Sequence, residues 1–300
     1  MNIFNMLLKN GINKKTPNIA VAVAHDLDVI RAVCDAKSKQ LTNAILIGNA
    51  KEILSIAEEN DLDIVDFPII DVVDEDKACQ EAVRLIRNGE AEILMKGFVN
   101  TDVLLRAVLN KKLGIKKRDI LSHVALFHPE NYHKPFLLAD AGMNISPNIE
   151  EKRGIICNTV SLALSLSISN PKVALLAATE KINDKMPATM EAKALTEMNL
   201  RGEIEGCIIG GPFALDNAIS KDAARHKRIL HPVSGDADIL IVPNIEAGNI
   251  LYKSLIYFAK ADCAGLVLGA SAPIVLTSRA DSPKIKLNSI ALSIFIAKVN

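Results

Sequence analysis

Short apolar segments recur along this chain and alternate with segments of helical periodicity. Residues 19–24, 173–177, 239–242 and 273–276 are apolar throughout, without the polar alternation of a half-exposed strand. Residues 74–87 instead place their apolar side chains three or four positions apart, as a helix does. Strands that are apolar on both faces are typical of parallel sheets covered by helices. The sequence therefore predicts an α/β fold of mostly parallel sheets flanked by helices.

Six further strands are predicted, at residues 44–47, 64–70, 92–95, 135–138, 206–209 and 266–268. Residues 150–169 are ambiguous, because Leu162 and Leu164 continue an alternation typical of a strand while the length of the segment favours a helix. We interpret this segment as a helix.

The length of 300 residues suggests two domains. Turn-forming residues near 127–129 and 269–273 predict that the second domain is inserted into the first. The expected bounds are 1–130 with 273–300 for the first domain and 131–272 for the second.

Charge and cysteine usage limit the possible partners. Lysine plus arginine equal aspartate plus glutamate at 35 each, so nothing favours binding to nucleic acid or an anionic membrane. The 5 cysteines lack zinc-site spacing, and the chain begins without a signal-peptide pattern. No apolar run reaches the roughly 18 residues of a membrane helix. We expect a cytoplasmic protein with no metal site, since the 6 histidines also lack ligand spacing.

The segment 272–283 ends an apolar strand in Thr277, Ser278 and Arg279, and a long helical pattern follows. Hydroxyls and a guanidinium at a helix start favour a bound oxyanion, phosphate above all. An ordinary serine cap with a solvated arginine remains the alternative.

A second strand-to-helix turn, residues 95–102, favours an anion in the same way. It contains Lys96, Gly97, Asn100 and Thr101, and the helix after it carries Arg106. A routine turn with a surface lysine is the alternative.

Polar residues also follow two other strands. Asp140 and Asn144 surround a glycine, where Asp140 is either a general base or part of an Asx turn. Asn244, Glu246 and Asn249 crowd one turn beyond the needs of a helix cap.

A basic run forms either a solvated face or a dock for the 3′-phosphate of coenzyme A; it comprises Lys111, Lys112, Lys116, Lys117 and Arg118. Glycine-rich dinucleotide and P-loop motifs are absent from the sequence.

Taken together, these segments resemble the phosphate acetyl/butyryltransferase family, and most closely its butyryl-transferring branch. The matching stretches follow the family order from residue 19 to residue 297 and are 95–101, 121–125, 140–144, 185–189, 211–217, 237–253 and 273–282.

The resemblance implies a two-domain fold similar to isocitrate and isopropylmalate dehydrogenases, with the active site in the cleft between the domains. It implies transfer of a short acyl group, butyryl foremost, between coenzyme A and inorganic phosphate, in a homodimer or larger homo-oligomer. No tightly bound cofactor is expected; coenzyme A and acyl-CoA are substrates. Phosphate acetyltransferase and a catalytically degenerate acyl-CoA-binding relative are the alternatives.

The resemblance also assigns roles to residues. Ser278 and Arg279 match the Ser-Arg pair of the family, and Arg106 corresponds to a second phosphate-site arginine. The family's catalytic aspartate has no direct counterpart, which leaves Asp281 and Asp140 as candidates. One departure is Gly210, where relatives usually carry aspartate.

An oxidoreductase on the same kind of fold is a rival reading, but it requires clustered aspartate ligands and a cofactor loop. Neither is found in the sequence. A further rival within the transferases takes long acyl chains from acyl carrier protein.

Overall fold

The structure, a computed structural model, describes residues 2–10, 16–277 and 281–297. The chain forms two compact units. The first comprises the described residues of Met1–Asp119 and Ala264–Asn300, and the second comprises Ile120–Cys263.

Helices and strands alternate along most of the described chain. In order they are α1 (Ile3–Asn10), β1 (Asn18–Ala22), α2 (Leu27–Ser38), β2 (Asn43–Gly48), α3 (Ala50–Glu59), β3 (Ile69–Asp71), α4 (Glu75–Arg87), β4 (Ile93–Lys96), α5 (Thr101–Val108), β5 (Ser122–His128), β6 (Phe136–Ala139), α6 (Ile149–Ser165), β7 (Lys172–Leu176), α7 (Pro187–Leu200), β8 (Ile208–Phe213), α8 (Leu215–Ile219), α9 (Lys221–His226), β9 (Ile239–Ile241), α10 (Ile245–Tyr257), β10 (Asp262–Leu268), β11 (Ile274–Val275) and α11 (Pro283–Ala297).

In the first unit the strand order is β3-β2-β1-β4-β11-β10. All neighbours in it are parallel except β10 and β11, which are antiparallel. All four residues of β4 are buried, so the strand is covered on both faces. This arrangement confirms the mostly parallel sheet and places the carboxyl ends of β1, β2, β4 and β11 at one edge.

In the second unit the strand order is β5-β6-β9-β7-β8. Strands β6, β9, β7 and β8 are parallel, and β5 is antiparallel to β6. The beginning of β5 therefore lies at the same edge as the carboxyl ends of the other strands.

The predicted helix at 150–169 is confirmed by α6. Its start is fixed by a capping box in which the Asn148 side chain accepts from the Glu151 N–H and the Glu151 carboxylate accepts from the Asn148 N–H. Leu162 is buried and Leu164 is 45% exposed, so the alternation of leucines does not mark two faces of a strand.

Two strand predictions were wrong in extent. Only Ile69 and Ile70 of the predicted strand 64–70 are extended, because Pro68 interrupts the run and Val65 lies in an exposed turn. Strand β8 continues beyond residue 209 through Pro212, which its position at the end of the strand order permits. The sequence patterns also missed β5, which carries a histidine near each end.

A charged cluster lies at the amino ends of the parallel strands of the second unit. The Asp236 carboxylate accepts hydrogen bonds from Lys172 Nζ, at the start of β7, and from His133 Nε2, and it pairs with Lys134. Burial opposes ionisation of this carboxyl, but the bonds from Lys172, Lys134 and His133 outweigh it and hold the pKa of Asp236 well below its usual range.

We predict that Asp236→Asn destabilises the fold by about 1–3 kcal/mol at neutral pH, since hydrogen bonds to a charged group are lost. The carboxylate contributes fully above its unfolded pKa of about 3.9, and its contribution falls as the pH drops toward the lower folded pKa. In urea unfolding, the difference in unfolding free energy between the variant and the unmodified chain should be constant from about pH 5.5 to 7.5. Below about pH 4 this difference should become smaller. Asp222→Asn, at a side chain that is 91% exposed, is the matched control. A gap that does not change with pH would contradict this account.

Candidate functional site

A buried lysine ends the central strand of the first unit. Lys96 is 6% exposed, and its Nζ donates to the carbonyl oxygens of Gly97 (3.1 Å) and Val99 (3.0 Å). These bonds curl the chain after β4 around the ammonium. We call Lys96, Gly97, Asn100 and Thr101 the Lys96 corner.

The glycine of this corner permits close backbone contact. Gly97 N donates to Ala22 O at 2.8 Å, and a Cβ on Gly97 would lie only 2.1 Å from Val23 O. Asn100 occupies the N-cap position of α5, but its side chain makes no capping hydrogen bond. Thr101 is the first helical residue and is half-buried. The structure thus brings the four predicted residues of this turn together at the carboxyl end of β4.

Arg106 lies in the last turn of α5, with its side chain 60% exposed. Its guanidinium donates to Asp102 at 2.9 Å and to Asp76 at 3.3 Å. The hydrogen bond that Arg106 donates to Asp76 is the main reason that the pKa of Arg106 is raised. A phosphate at this arginine would have to compete with two carboxylates.

The junction between β11 and α11 carries the other predicted residues of the first unit. Thr277 and Asp281 are both buried there, 5% and 6% exposed. The Asp281 carbonyl accepts from Lys286 Nζ at 2.7 Å. Ser278 and Arg279 lie outside the described residues.

The second unit contains a buried carboxylate at the carboxyl end of β6. Asp140 is 3% exposed and accepts four hydrogen bonds, from the backbone N–H groups of His123 (3.1 Å), Gly142 (2.8 Å) and Met143 (2.9 Å) and from the Asn144 side chain (2.6 Å). These donors compensate the cost of burying the charge. Asp140 therefore organises the turn after β6, and with His123, Gly142 and Asn144 it forms what we call the Asp140 corner.

Helix α10 packs directly on this turn. A Cβ on Gly248 would lie 2.5 Å from Asp140 O, so only glycine allows this approach. Asn249 donates from Nδ2 to Ala141 O at 3.3 Å, and Asn244 caps α10 by accepting from Ala247 N at 3.0 Å. Glu246 is exposed in the first turn. The polar residues of this turn therefore have structural roles. Asn244 caps α10, and Asn249 donates to the turn that carries Asp140.

His123 was not among the predicted site residues, although the structure places it at this corner. It stands near the start of β5, is 7% exposed, and its ring packs edge-on against Tyr252 at 5.7 Å. The signal in the sequence was its position in a stretch that resembles the family, but β5 itself was not predicted, so its edge could not be assigned.

The unusual Gly210 has a structural partner in His231. A Cβ on Gly210 would lie 2.4 Å from His231 Cε1, so the imidazole occupies the space that an aspartate side chain would enter. His231 Nδ1 accepts from Val233 N at 3.2 Å, and burial lowers the pKa of this histidine. His231 is therefore a neutral ring with its proton on Nε2 at neutral pH.

Three of the cysteines, Cys34, Cys79 and Cys207, are poor nucleophiles. Burial is the main reason that the pKa values of Cys34 and Cys207 rise to about 11 and that of Cys79 to about 12. Among the residues that the structure describes, no group of three or more His, Cys, Asp or Glu side chains is arranged to hold a metal ion. In the same residues, no helix is both long and apolar enough to cross a membrane.

The basic run of the first unit is exposed, as a solvated face requires. Lys116 and Lys117 border a cavity of about 590 Å³ that also contacts Ala91 and Glu92, just before β4. This cavity lies at the amino end of β4, whereas the Lys96 corner lies at its carboxyl end.

Within each unit, the distinctive polar segments share one edge of the sheet. Residues 95–101 and 273–277 follow or end the parallel strands β4 and β11 of the first unit. In the second unit, residues 140–144, 211–217 and 243–249 follow or end β6, β8 and β9, and residues 121–125 begin the antiparallel β5. The carboxyl edge of a parallel sheet is where ligands bind in open α/β folds.

Comparison with known proteins gives a consistent result. The profile of the family described as phosphate acetyl/butaryl transferase matches residues 3–83 and 74–294. Phosphate butyryltransferase of Clostridium acetobutylicum is 45% identical over 294 residues, which are 98% of each chain. The phosphate butyryltransferase of Clostridium beijerinckii is also 45% identical, over 297 residues that cover 99% of this chain and 98% of that protein.

A solved structure, that of a branched-chain phosphotransacylase from Enterococcus faecalis V583, has a TM-score of 0.84 and 35% identity. The match covers 94% of this chain and 99% of that chain.

We predict that Asp140→Asn lowers the free energy of unfolding by about 1–3 kcal/mol, because the new amide N–H₂ group faces hydrogen-bond donors. Chemical denaturation checks this, with Asp184→Asn at an exposed position of the same unit as the control. The control should stay within about 0.5 kcal/mol of the unmodified chain. Equal stability of the Asp140 variant and the unmodified chain would show that the corner does not need the carboxylate.

Proposed function

Because this chain belongs to the phosphate acetyl/butaryl transferase family, we propose that it transfers a short acyl group between coenzyme A and inorganic phosphate. The reaction is acyl-CoA plus phosphate giving acyl phosphate plus coenzyme A, in either direction. The observation that carries the proposal is that the family-like segments follow the carboxyl ends of parallel strands in each unit. Butyryl is the proposed acyl group, because the two Clostridium relatives carry that name.

The proposed mechanism is direct attack in a ternary complex. A phosphate oxygen attacks the thioester carbonyl carbon, the carbon–sulfur bond breaks, and the sulfur leaves as a thiolate that takes up a proton. The high pKa values of the Cys34, Cys79 and Cys207 thiols support a route in which none of these three is a nucleophile. Most of the acceleration then comes from holding two reactants in contact.

We assign the roles as follows. Arg279 binds the phosphate through a bidentate contact, and Ser278 donates to the developing oxyanion. Asp281 accepts the phosphate proton in preference to Asp140, whose oxygens already accept four hydrogen bonds. The Lys96 corner, Thr277 and Arg106 bind phosphate or coenzyme A, as do Asn144, Asn244, Glu246 and Asn249.

The remaining parts of the proposal concern organisation. The domains are 1–130 with 273–300 and 131–272, in a fold similar to isocitrate and isopropylmalate dehydrogenases. The protein is a homodimer or larger homo-oligomer; exposed Ile250 and Phe258 on and beside α10 support self-association. No cofactor is tightly bound. Free cysteines and relatives from bacteria support a reducing cytoplasmic location.

The deciding experiment measures phosphate-dependent release of free thiol from acetyl-, butyryl-, branched and longer acyl-CoAs. We expect turnover that requires phosphate and peaks at four carbons. A peak at two carbons would make the chain a phosphate acetyltransferase. A folded protein that binds coenzyme A but releases no thiol from any acyl-CoA would be the catalytically degenerate relative, and the proposal would fail.

We predict that Arg279→Lys reduces kcat/KM by the equivalent of about 1.5–3 kcal/mol, because a point charge replaces a planar, bidentate donor. Steady-state kinetics with butyryl-CoA and phosphate test this. Arg225→Lys, at a side chain that is 80% exposed on α9, is the matched control and should retain full activity. An Arg279→Lys variant as active as that control would remove Arg279 from the mechanism.

A further inference from the structure

The strand order of the first unit reverses direction between β1 and β4. In the order β3-β2-β1-β4, strands β2 and β3 lie on one side of β1 and β4 lies on the other. The chain therefore runs outward from β1 to β3 and then returns to the opposite side of β1. In open α/β sheets such a switch point opens a crevice beyond the carboxyl ends of the two strands, and ligands bind there. The turns after β1 and β4 border this crevice.

These two turns are joined by backbone hydrogen bonds. Gly97 N donates to Ala22 O at 2.8 Å, and Phe98 N donates to Val23 O at 2.7 Å. Val23 has a φ of 57°, a left-handed conformation that a β-branched residue rarely adopts, and such strain clusters at ligand-binding sites. The turn after β1 continues to His25, whose ring packs against the ring of Phe98 with 6.2 Å between their centroids.

His25 makes no side-chain hydrogen bond to the residues that the structure describes. Its Nδ1 is buried without a partner, and a Cβ on Gly48 would lie only 3.1 Å from it. Its Nε2 lies 3.9 Å from Glu52 Oε2, which is too far for a hydrogen bond. An N–H at Nδ1 would be a buried donor without an acceptor, whereas an N–H at Nε2 faces the carboxylate. The neutral ring therefore carries its proton on Nε2.

Glu52 supplies an acceptor beside this donor. It lies in the first turn of α3, and its Oε1 accepts from Asn49 Nδ2 at 2.7 Å, which orients the carboxylate. Its Oε2 lies next to His25 and accepts no hydrogen bond from the described part of the chain. The His25 side chain is 13% exposed and that of Glu52 is 56% exposed, so solvent reaches the pair. One N–H donor and one carboxylate acceptor thus stand side by side at the switch point.

A donor beside an acceptor is complementary to one edge of adenine, where the N7 acceptor lies next to the amino group at C6. Phe98, which is 45% exposed, offers an aromatic face on which a base can stack. A phosphate group fits this place poorly, because the Glu52 carboxylate would repel it. Among the proposed substrates, coenzyme A and its acyl thioesters contain adenine.

We propose that His25 and Glu52 bind the adenine ring of coenzyme A, with Phe98 as its stacking partner. His25 Nε2 donates to N7 of the base, and the amino group at C6 donates to Glu52 Oε2. The inference rests on the proposed function and names the subsite that recognises the nucleotide end of acyl-CoA. No bond of adenine forms or breaks in the acyl transfer, so these contacts contribute to substrate binding and not to the chemical step.

Steady-state kinetics with butyryl-CoA and with butyryl-pantetheine, which lacks the nucleotide, test the proposal. We expect His25→Leu to raise the KM for butyryl-CoA by about tenfold, as loss of one good hydrogen bond does. Its kcat and its KM for butyryl-pantetheine should stay within about twofold of the unmodified values. His25→Gln keeps a donor near the position of Nε2 and should recover most of the affinity. His226→Leu, at an exposed histidine of α9, is the matched control and should change neither KM.

Glu52→Ala distinguishes adenine from a phosphate group at this place. If the carboxylate accepts from the amino group of adenine, its loss raises the KM for butyryl-CoA by about fivefold or more. If a phosphate group of coenzyme A lies here instead, loss of the repelling carboxylate lowers that KM. More than half of the Glu52 side chain is exposed, so this variant should fold even if His25→Leu does not, and its KM then decides.

Binding measured without turnover separates failure of this proposal from failure of the proposed function. In isothermal titration calorimetry, coenzyme A should bind the unmodified chain about tenfold more tightly than its deaminated analogue, in which hypoxanthine replaces adenine. The analogue presents an oxygen at C6 to the Glu52 carboxylate, so the preference should disappear in Glu52→Ala. This result would support the adenine subsite even if no acyl-CoA were turned over.

Several results would overturn the assignment. An equal rise of the KM for butyryl-CoA and for butyryl-pantetheine in His25→Leu would place the pantetheine arm at this histidine. An unchanged KM for butyryl-CoA in folded His25→Leu, or an unchanged or lower one in Glu52→Ala, would remove adenine from the site. Equal binding of coenzyme A and its deaminated analogue by the unmodified chain, or no binding of either, would do the same.

Discussion

A parallel sheet that is covered on both faces can present polar groups only at the ends of its strands. This constraint applies to both units, since strands such as β4 and β6 are buried at every residue. The polar side chains that distinguish this sequence therefore collect where strands end and helices begin. The same constraint explains why the antiparallel β5 contributes through its beginning, where His123 lies, rather than through its end.

Both corners hold a buried charge mainly by means of backbone groups. Lys96 donates to carbonyl oxygens, and Asp140 accepts from N–H groups and one side-chain amide. A charge that is compensated by dipoles is fixed in place, yet it still exerts an electrostatic field on its surroundings. Close approaches at Gly97 and Gly248 make this possible, because backbone groups reach the corners only where a Cβ is absent.

Much of this arrangement is encoded locally and could be predicted. Apolar runs predicted the parallel strands, and the residues of the strand-to-helix turns predicted the polar corners around Lys96 and Asp140. The capping box at Asn148 is a local signal too, and it resolves the ambiguous segment that became α6.

What could not be predicted depends on contacts distant in the chain. One case is Asp140, which accepts a hydrogen bond from the backbone N–H of His123 in addition to those from its own turn. Another is Arg106, which forms ion pairs with Asp76 and Asp102. The burial of Lys286 is a third case, because it depends on the packing of α11 against α2, where Asp28 Oδ2 lies 3.5 Å from the Lys286 Nζ.

The contact between Gly210 and His231 has a consequence for how such a chain can change over generations. A side chain at position 210 would require the His231 imidazole to move, whereas a smaller residue at position 231 would leave room for it. The two positions are therefore epistatic, and the order of substitutions matters. A chain that acquires aspartate at position 210 must therefore also move or replace the histidine at position 231.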